Sequence, residues 1–273
     1  MKKYLLFFTI LISGYSVAQI NKIDHFFASS PDAEKLFTLF KENLGLPVAW
    51  DYKNWGSFAS GAVTLGNVAF EFVLFDSLTA TKFDAIALEP RQSVEELIPI
   101  LDNSQILHDS IEYNTYKKKD GSTGGWSTLN LKNLLPQEAG FFICDYKDRE
   151  GLASAKRRDS TELVKLKGGP LGIISLKEIV VISPNVNNYK MELLKLPGIS
   201  NNKMDLFSFN SGPSIRIINS DTPKIEKIVI LVHSLAGTKK YLAAHNLLGK
   251  SSKNSIYINS DSINGLLIEF VDK

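Results

Sequence analysis

Apolar positions along this chain switch repeatedly between strand-like alternation and helix-like spacing. Ile20, Ile23, Phe26 and Phe27 predict an opening strand. Ser30-Pro31-Asp32 stops it and starts a helix, with Ser30 or Asp32 as the cap. Leu36, Phe37, Leu39, Phe40 and Leu44 then recur at helical spacing, and Gly45 ends the helix. Strands are predicted next at 48–52, 57–65 and 67–75, punctuated by Gly56, Gly61 and Gly66.

The same order returns at the other end. Ile225-Glu226-Lys227-Ile228 matches Ile20-Asn21-Lys22-Ile23, and Leu248-Gly249 matches Leu44-Gly45. Ile268-Glu269-Phe270-Val271 matches Phe70-Glu71-Phe72-Val73. Two weaker copies lie between: a strand at 83–88, a helix at 93–101 and strands at 127–131 and 140–146, then a strand at 176–182, a helix at 186–194 and strands at 204–209 and 214–219. The pattern therefore divides the chain into βαβββ modules at 19–78, 79–147, 173–221 and 222–273. The charged, glycine-rich stretch between the second and third reads as a connection, 148–172, with Lys156-Arg157-Arg158 as a solvated face.

One such module gives a small sheet backed by one helix. Two side by side make a curved sheet with a concave face for a ligand. The fold class expected is α+β: four modules pairing into two curved, mostly antiparallel eight-stranded sheets, with helices on the convex face. The outer modules (first and fourth) are expected to pair with each other, and the inner ones likewise. Internal pairing leaves no module unpartnered, so a monomer is expected.

Composition narrows the setting. Lys2 and Lys3, the apolar run from Tyr4 to Tyr15 and Ser16-Val17-Ala18 read as a signal peptide cleaved between Ala18 and Gln19. The expected location is periplasmic or secreted. Cleavage removes two lysines, so Lys+Arg falls from 31 to 29 against 29 Asp+Glu, and the net charge is zero. Nothing in that balance points to nucleic acid, and no later stretch is long and apolar enough to span a membrane. Cys144 is the one cysteine, which excludes an intrachain disulfide; it reads as a small buried hydrophobe in an apolar run. Gly124-Gly125-Trp126 lacks the lysine of a phosphate loop, and no Gly-x-Ser-x-Gly turn occurs.

Ile23-Asp24-His25-Phe26, the Leu44-Gly45-Leu46 helix end and the strand 65–73 around Glu71 resemble the vicinal oxygen chelate superfamily. This group includes glyoxalase I, extradiol dioxygenases and bleomycin-resistance proteins, and the likeness is to its glyoxalase-like domains. The resemblance implies a divalent metal (Zn, Ni, Mn, Fe or Co) in the concavity, held by His25, Glu71 and Glu269 between the first and fourth modules. It implies lyase, isomerase or dioxygenase chemistry on a small oxygen-chelating substrate, with Glu71 or Glu269 moving a proton. Counting residues places Ile230 where the fourth module would repeat His25, so one family ligand is missing. The inner modules show Ala85 and Val181 at the histidine position, and about Ile143 and Arg216 at the glutamate position.

The bland readings stay open beside this one. His25 also fits a hydrogen-bonded core histidine, and the two glutamates fit ion pairs with lysines. His108 and His245 read as surface residues. Trp50, Tyr52 and Trp55 suit either a small-molecule pocket or packing at its rim. The alternative function is a metal-free protein that holds a small molecule in the same cup; a third is a filled cup serving interaction. Mass spectrometry of the exported protein is expected to give a chain beginning at Gln19; one that retains Met1 would contradict cleavage.

Overall fold

The computed structural model describes residues 20–118, 120–203 and 205–273. The export segment and its cleavage site lie outside the described residues. The first module comprises β1 (Ile20–Ser29), α1 (Ala33–Thr38) running into a π-helical turn at Leu39–Asn43, β2 (Val48–Asn54), β3 (Phe58–Thr64) and β4 (Ala69–Phe75). The second comprises β5 (Lys82–Pro90), α2 (Val94–Asn103), β6 (Glu112–Lys117), β7 (Thr123–Asn130) and β8 (Gly140–Tyr146). A helix, α3 (Arg149–Lys165), follows. The third module is β9 (Ile173–Ser183), α4 (Val186–Leu194), β10 (Ser200–Lys203), β11 (Leu206–Ser208) and β12 (Ser214–Asn219). The fourth is β13 (Lys224–Val232), α5 (Leu235–Ala244), β14 (Leu248–Ser251), β15 (Ile256–Ile258) and β16 (Ile268–Val271).

The α+β class and the βαβββ repeat hold. The strands run β2-β3-β4-β1-β5-β8-β7-β6 in one half and β10-β11-β12-β9-β13-β16-β15-β14 in the other. The pairing of Ile225 with Phe83 joins the halves into one large sheet, and an isolated bridge between Lys22 and Ser211 also crosses between them. Within each module the first and last strands are parallel, and the remaining neighbours are antiparallel.

The expected pairing of outer with outer modules is not what forms. β1 lies against β5 along its whole length, from Ile20 opposite Pro90 to Ser29 opposite Lys82. β9 lies against β13 in the same way. Modules adjacent in sequence therefore pair, because only a short loop separates β4 from β5 and sequential strands find each other first.

The convex face carries the core. Phe26, Phe40, Phe70 and Phe72 are fully buried where the α1 segment meets β1 and β4. The rings of Phe26 and Phe70 stack at 4.6 Å, and those of Phe40 and Phe72 lie at 4.9 Å. Each such burial contributes about 1.5–3 kcal/mol. Gly45 ends the π-helical segment at φ +65°, where an added Cβ would come 2.8 Å from the Pro170 ring.

The stretch expected as a connection is largely helix α3. Asp148 caps it by accepting from the Gly151 amide at 2.9 Å. Asp159 and Leu163 are its buried residues, and it lies over β2, β3 and β8. Gly151 and a sparse apolar stripe hid this helix from a periodicity reading. The basic cluster splits: Arg157 and Arg158 are exposed, whereas Lys156 turns inward.

Asn67, between β3 and β4, bridges the halves. Its Nδ2 donates to the Leu176 carbonyl at 2.9 Å, and its Oδ1 accepts from the Leu176 amide at 3.0 Å. Asn67→Ala leaves both backbone groups unpaired in a buried position and is expected to cost about 2–4 kcal/mol. Urea denaturation should show a lower midpoint with an unchanged slope.

Candidate functional site

A β-bulge shapes the floor of the first cup. Ile23 faces Leu88 and His25 faces Ala87, so Asp24 is an extra residue in β1. Successive residues of a regular strand point to opposite faces. The bulge puts Asp24 and His25 on the same side, with Asp24 Oδ2 2.6 Å from His25 Nδ1. On the other ring nitrogen, His25 Nε2 lies 3.4 Å from Glu71 Oε2, as the parallel β1–β4 register dictates. His25 and Glu71 thus meet on the floor.

The same bulge recurs in every module. Asp84 is the extra residue in β5, Lys177 in β9 and Glu226 in β13. The residues after the bulges are therefore equivalent: His25, Ala85, Glu178 and Lys227. The equivalents of Glu71, two registers along, are Phe142, Arg216 and Glu269. Counting from apolar anchors ran across the bulges and slipped. Lys227, not Ile230, stands for His25 in the fourth module, and Glu178, not Val181, in the third. Ile230 is a buried core residue opposite Leu176.

Three of the four modules fill these positions with a close charge-capable pair. Glu178 accepts from Arg216 at 2.6 and 3.0 Å. Lys227 Nζ lies 2.5 Å from Glu269, with the Tyr257 hydroxyl at 3.2 Å. Glu269 therefore belongs to the second half, where Lys227 is its partner. The outer-pair triad of His25, Glu71 and Glu269 does not assemble, because the first and fourth modules lie in different halves of the sheet.

Lys156 of α3 completes the first site. Its ammonium binds Asp24 directly and reaches Glu89 at 2.6 Å, while the Tyr146 hydroxyl donates to Asp24 at 3.1 Å. Burial works against charge on Asp24, but Lys156 and the His25 hydrogen bond hold its carboxyl well below the usual range. Burial likewise works against charge on His25, yet the hydrogen bond and charge of Asp24, with Glu71 beyond, raise it above its ordinary value. Burial raises Glu71, and His25 and Ser60 offset this only in part. Burial and the charge of Asp24 push the Cys144 thiol well above its usual range, which leaves it protonated and no nucleophile.

Aromatic side chains wall this floor. Trp50 and Phe142 meet the His25 ring edge-on, both at 5.9 Å. Trp55 packs on Tyr116 at 5.4 Å and on Trp126 at 5.5 Å. These contacts join opposite ends of the eight-strand order, so the sheet curls until its margins touch. Trp50, Trp55, Tyr116, Trp126 and Phe142 are all partly buried. Tyr52 is elsewhere: an irregularity in β2 between Trp50 and Lys53 turns it to the convex side, against Phe37 at 6.0 Å. A cleft of about 410 Å³ opens beside the floor, lined in part by Glu89, Cys144, Tyr146 and Arg149.

A resident divalent metal does not fit this donor set. Too few donors converge: His25 Nε2 and Glu71 are two, while Asp24, Glu178 and Glu269 each hold a cation of the chain's own. Among the described residues, no three His, Cys, Asp or Glu side chains group as metal ligands.

No family model and no curated protein matches the sequence. Solved structures match its shape. A hypothetical protein from Staphylococcus aureus superposes with a TM-score of 0.63 at 12% identity, over 92% of this chain and 99% of that one. Homoprotocatechuate 2,3-dioxygenase from Brevibacterium fuscum gives 0.58 at 12% identity, over 95% and 73%. The Arthrobacter globiformis enzyme gives 0.58 at 12% identity, over 94% and 80%. The chain thus shares the fold of these dioxygenases.

Lys156, Phe142, Tyr116 and Trp126 were not assigned to the site from the sequence, and Lys156 was read there as part of a solvated face. A lysine placed inside by a weakly apolar helix leaves no periodic signal. The two aromatics of β6 and β7 lay in a stretch whose first strand was not predicted.

His25 gives the site a pH signature. Its raised value adds stability that is full below pH 6.5 and is lost as pH rises through the folded-state value. Glu71, also raised, acts in the same direction. Denaturant titrations from pH 6.5 to pH 8 are expected to show falling stability, with a flatter profile in His25→Gln. An equal slope in both would contradict the assignment.

Proposed function

We propose that this protein binds a small aromatic or apolar molecule in the cup of its first two modules, without a resident metal. One observation carries the reading. On the floor Asp24 is held by Lys156 and His25, which leaves only His25 Nε2 and Glu71 as donors, too few for a metal, while the aromatic walls around them stay partly exposed. Clustered aromatic surface beside a few fixed polar groups is the usual make-up of a small-molecule site. A variant of the Brevibacterium fuscum dioxygenase has been solved with HPCA bound, so the fold accommodates a small ligand in that protein. With the export signal expected from the sequence, the protein would sequester or carry such a molecule in the periplasm or outside the cell.

All three tryptophans of the chain, Trp50, Trp55 and Trp126, lie on this cup, so intrinsic fluorescence reports on it. Aromatic ligands are expected to quench that emission and raise the melting temperature. At about 100-fold excess over Kd, the gain is about 2.7 kcal/mol, which is roughly 5–10 °C for a chain of this size. Chelator should leave both effects unchanged. Stabilisation by Mn, Fe, Co, Ni or Zn, with none by aromatic compounds, would overturn the proposal in favour of a metalloenzyme.

A further inference from the structure

The mouth of the first cup holds a cation among rings. Lys53 Nζ sits 3.6 Å from the centroid of Trp55 and 5.1 Å from that of Tyr116. Trp126 closes the group, 5.5 Å from Trp55 and 6.0 Å from Tyr116. The rings come from both modules: Tyr116 from β6, Trp126 from β7, and Trp55 from the β2–β3 turn. The irregularity in β2 between Trp50 and Lys53 re-aims the strand at this point.

Two features distinguish this from a lysine lying on a surface ring. The cage is fixed independently of Lys53, because Trp55 Nε1 donates to Ser60 Oγ at 3.1 Å, and Ser60 is buried in β3. Lys53 itself is exposed, and among the described residues no carboxylate lies within salt-bridge distance of its ammonium. A desolvated cation against several ring faces gains more than one on an open surface, and indole gives the strongest such contact.

We infer that the Trp55–Tyr116–Trp126 cluster is an aromatic cage for an organic cation of the alkylated-ammonium class, and that Lys53 occupies it in the absence of ligand. The inference deepens the reading of this face as a ligand cup and rests on it. An incoming quaternary ammonium would displace the Lys53 ammonium and take its place against the same rings. Its methyl groups would keep the ring contacts without needing hydrogen-bond partners.

The test is a titration of the full mature chain with choline and with 3,3-dimethyl-1-butanol, its neutral isostere, followed by tryptophan fluorescence and calorimetry. Choline is expected to bind at least tenfold more tightly than the isostere. Lys53→Ala should tighten choline binding several-fold, and Trp55→Ala should abolish it. Trp55→Phe, which keeps a ring at the position, should retain weakened binding and so separate loss of the cage from loss of folding. Equal affinity for choline and the isostere, or no change in Lys53→Ala, would overturn the inference. Binding of neutral aromatic compounds without choline would sink the cage alone and leave the cup reading standing.

Discussion

The buried charge on Asp24 is the constraint around which the first half is organised. A lone carboxylate at that depth would be prohibitively costly. It is tolerated because β1 bulges, which brings His25 to one side of it, and because α3 delivers Lys156 to the other. Neither partner would suffice in isolation. His25 carries charge only when protonated, and Lys156 is tethered to a helix with few apolar contacts of its own. Removing one member of a buried ion pair typically costs about 3–5 kcal/mol. The arrangement therefore ties the floor of the cup, the strand that forms it and the helix above it into one unit.

The bulge has a second effect, on how the repeat is read. Strand, helix and closing-strand order were legible in the sequence because apolar periodicity survives four-fold repetition. The pairing of His25 with Glu71 was legible too, since both stand at matched places in β1 and β4. What was hidden is the register inside each opening strand. An extra residue in a strand shifts every later position to the other face, and nothing in residue identity marks it. Ile230 and Val181 consequently took places that belong to Lys227 and Glu178. Module pairing was hidden for a different reason: β1 and β13 are similar strands, and similarity does not say which neighbour each one finds.

The equivalent positions also explain why the chain can share a fold with dioxygenases at 12% identity and still carry a different interior. The fold needs an apolar convex face, and the four opening strands supply one through Phe26, Ile86, Ile179 and Ile228. It places no such demand on the concave positions. Here those hold a histidine between two carboxylates, two salt bridges of the Arg–Glu and Lys–Glu kind, and an alanine with a phenylalanine. Each set is internally neutralised, so each is compatible with folding whatever its role.

Helix α3 makes the two halves inequivalent. The chain is built from a repeated plan, yet this 17-residue helix follows the second module and lies over the strands of the first half. It breaks the internal symmetry that the repeat would otherwise impose. Two copies of one architecture can then diverge without interference, because a change in Lys156 or its helix is felt in one concavity and not in the other. Duplication supplied the frame, and a segment between the copies gave one of them an interior of its own.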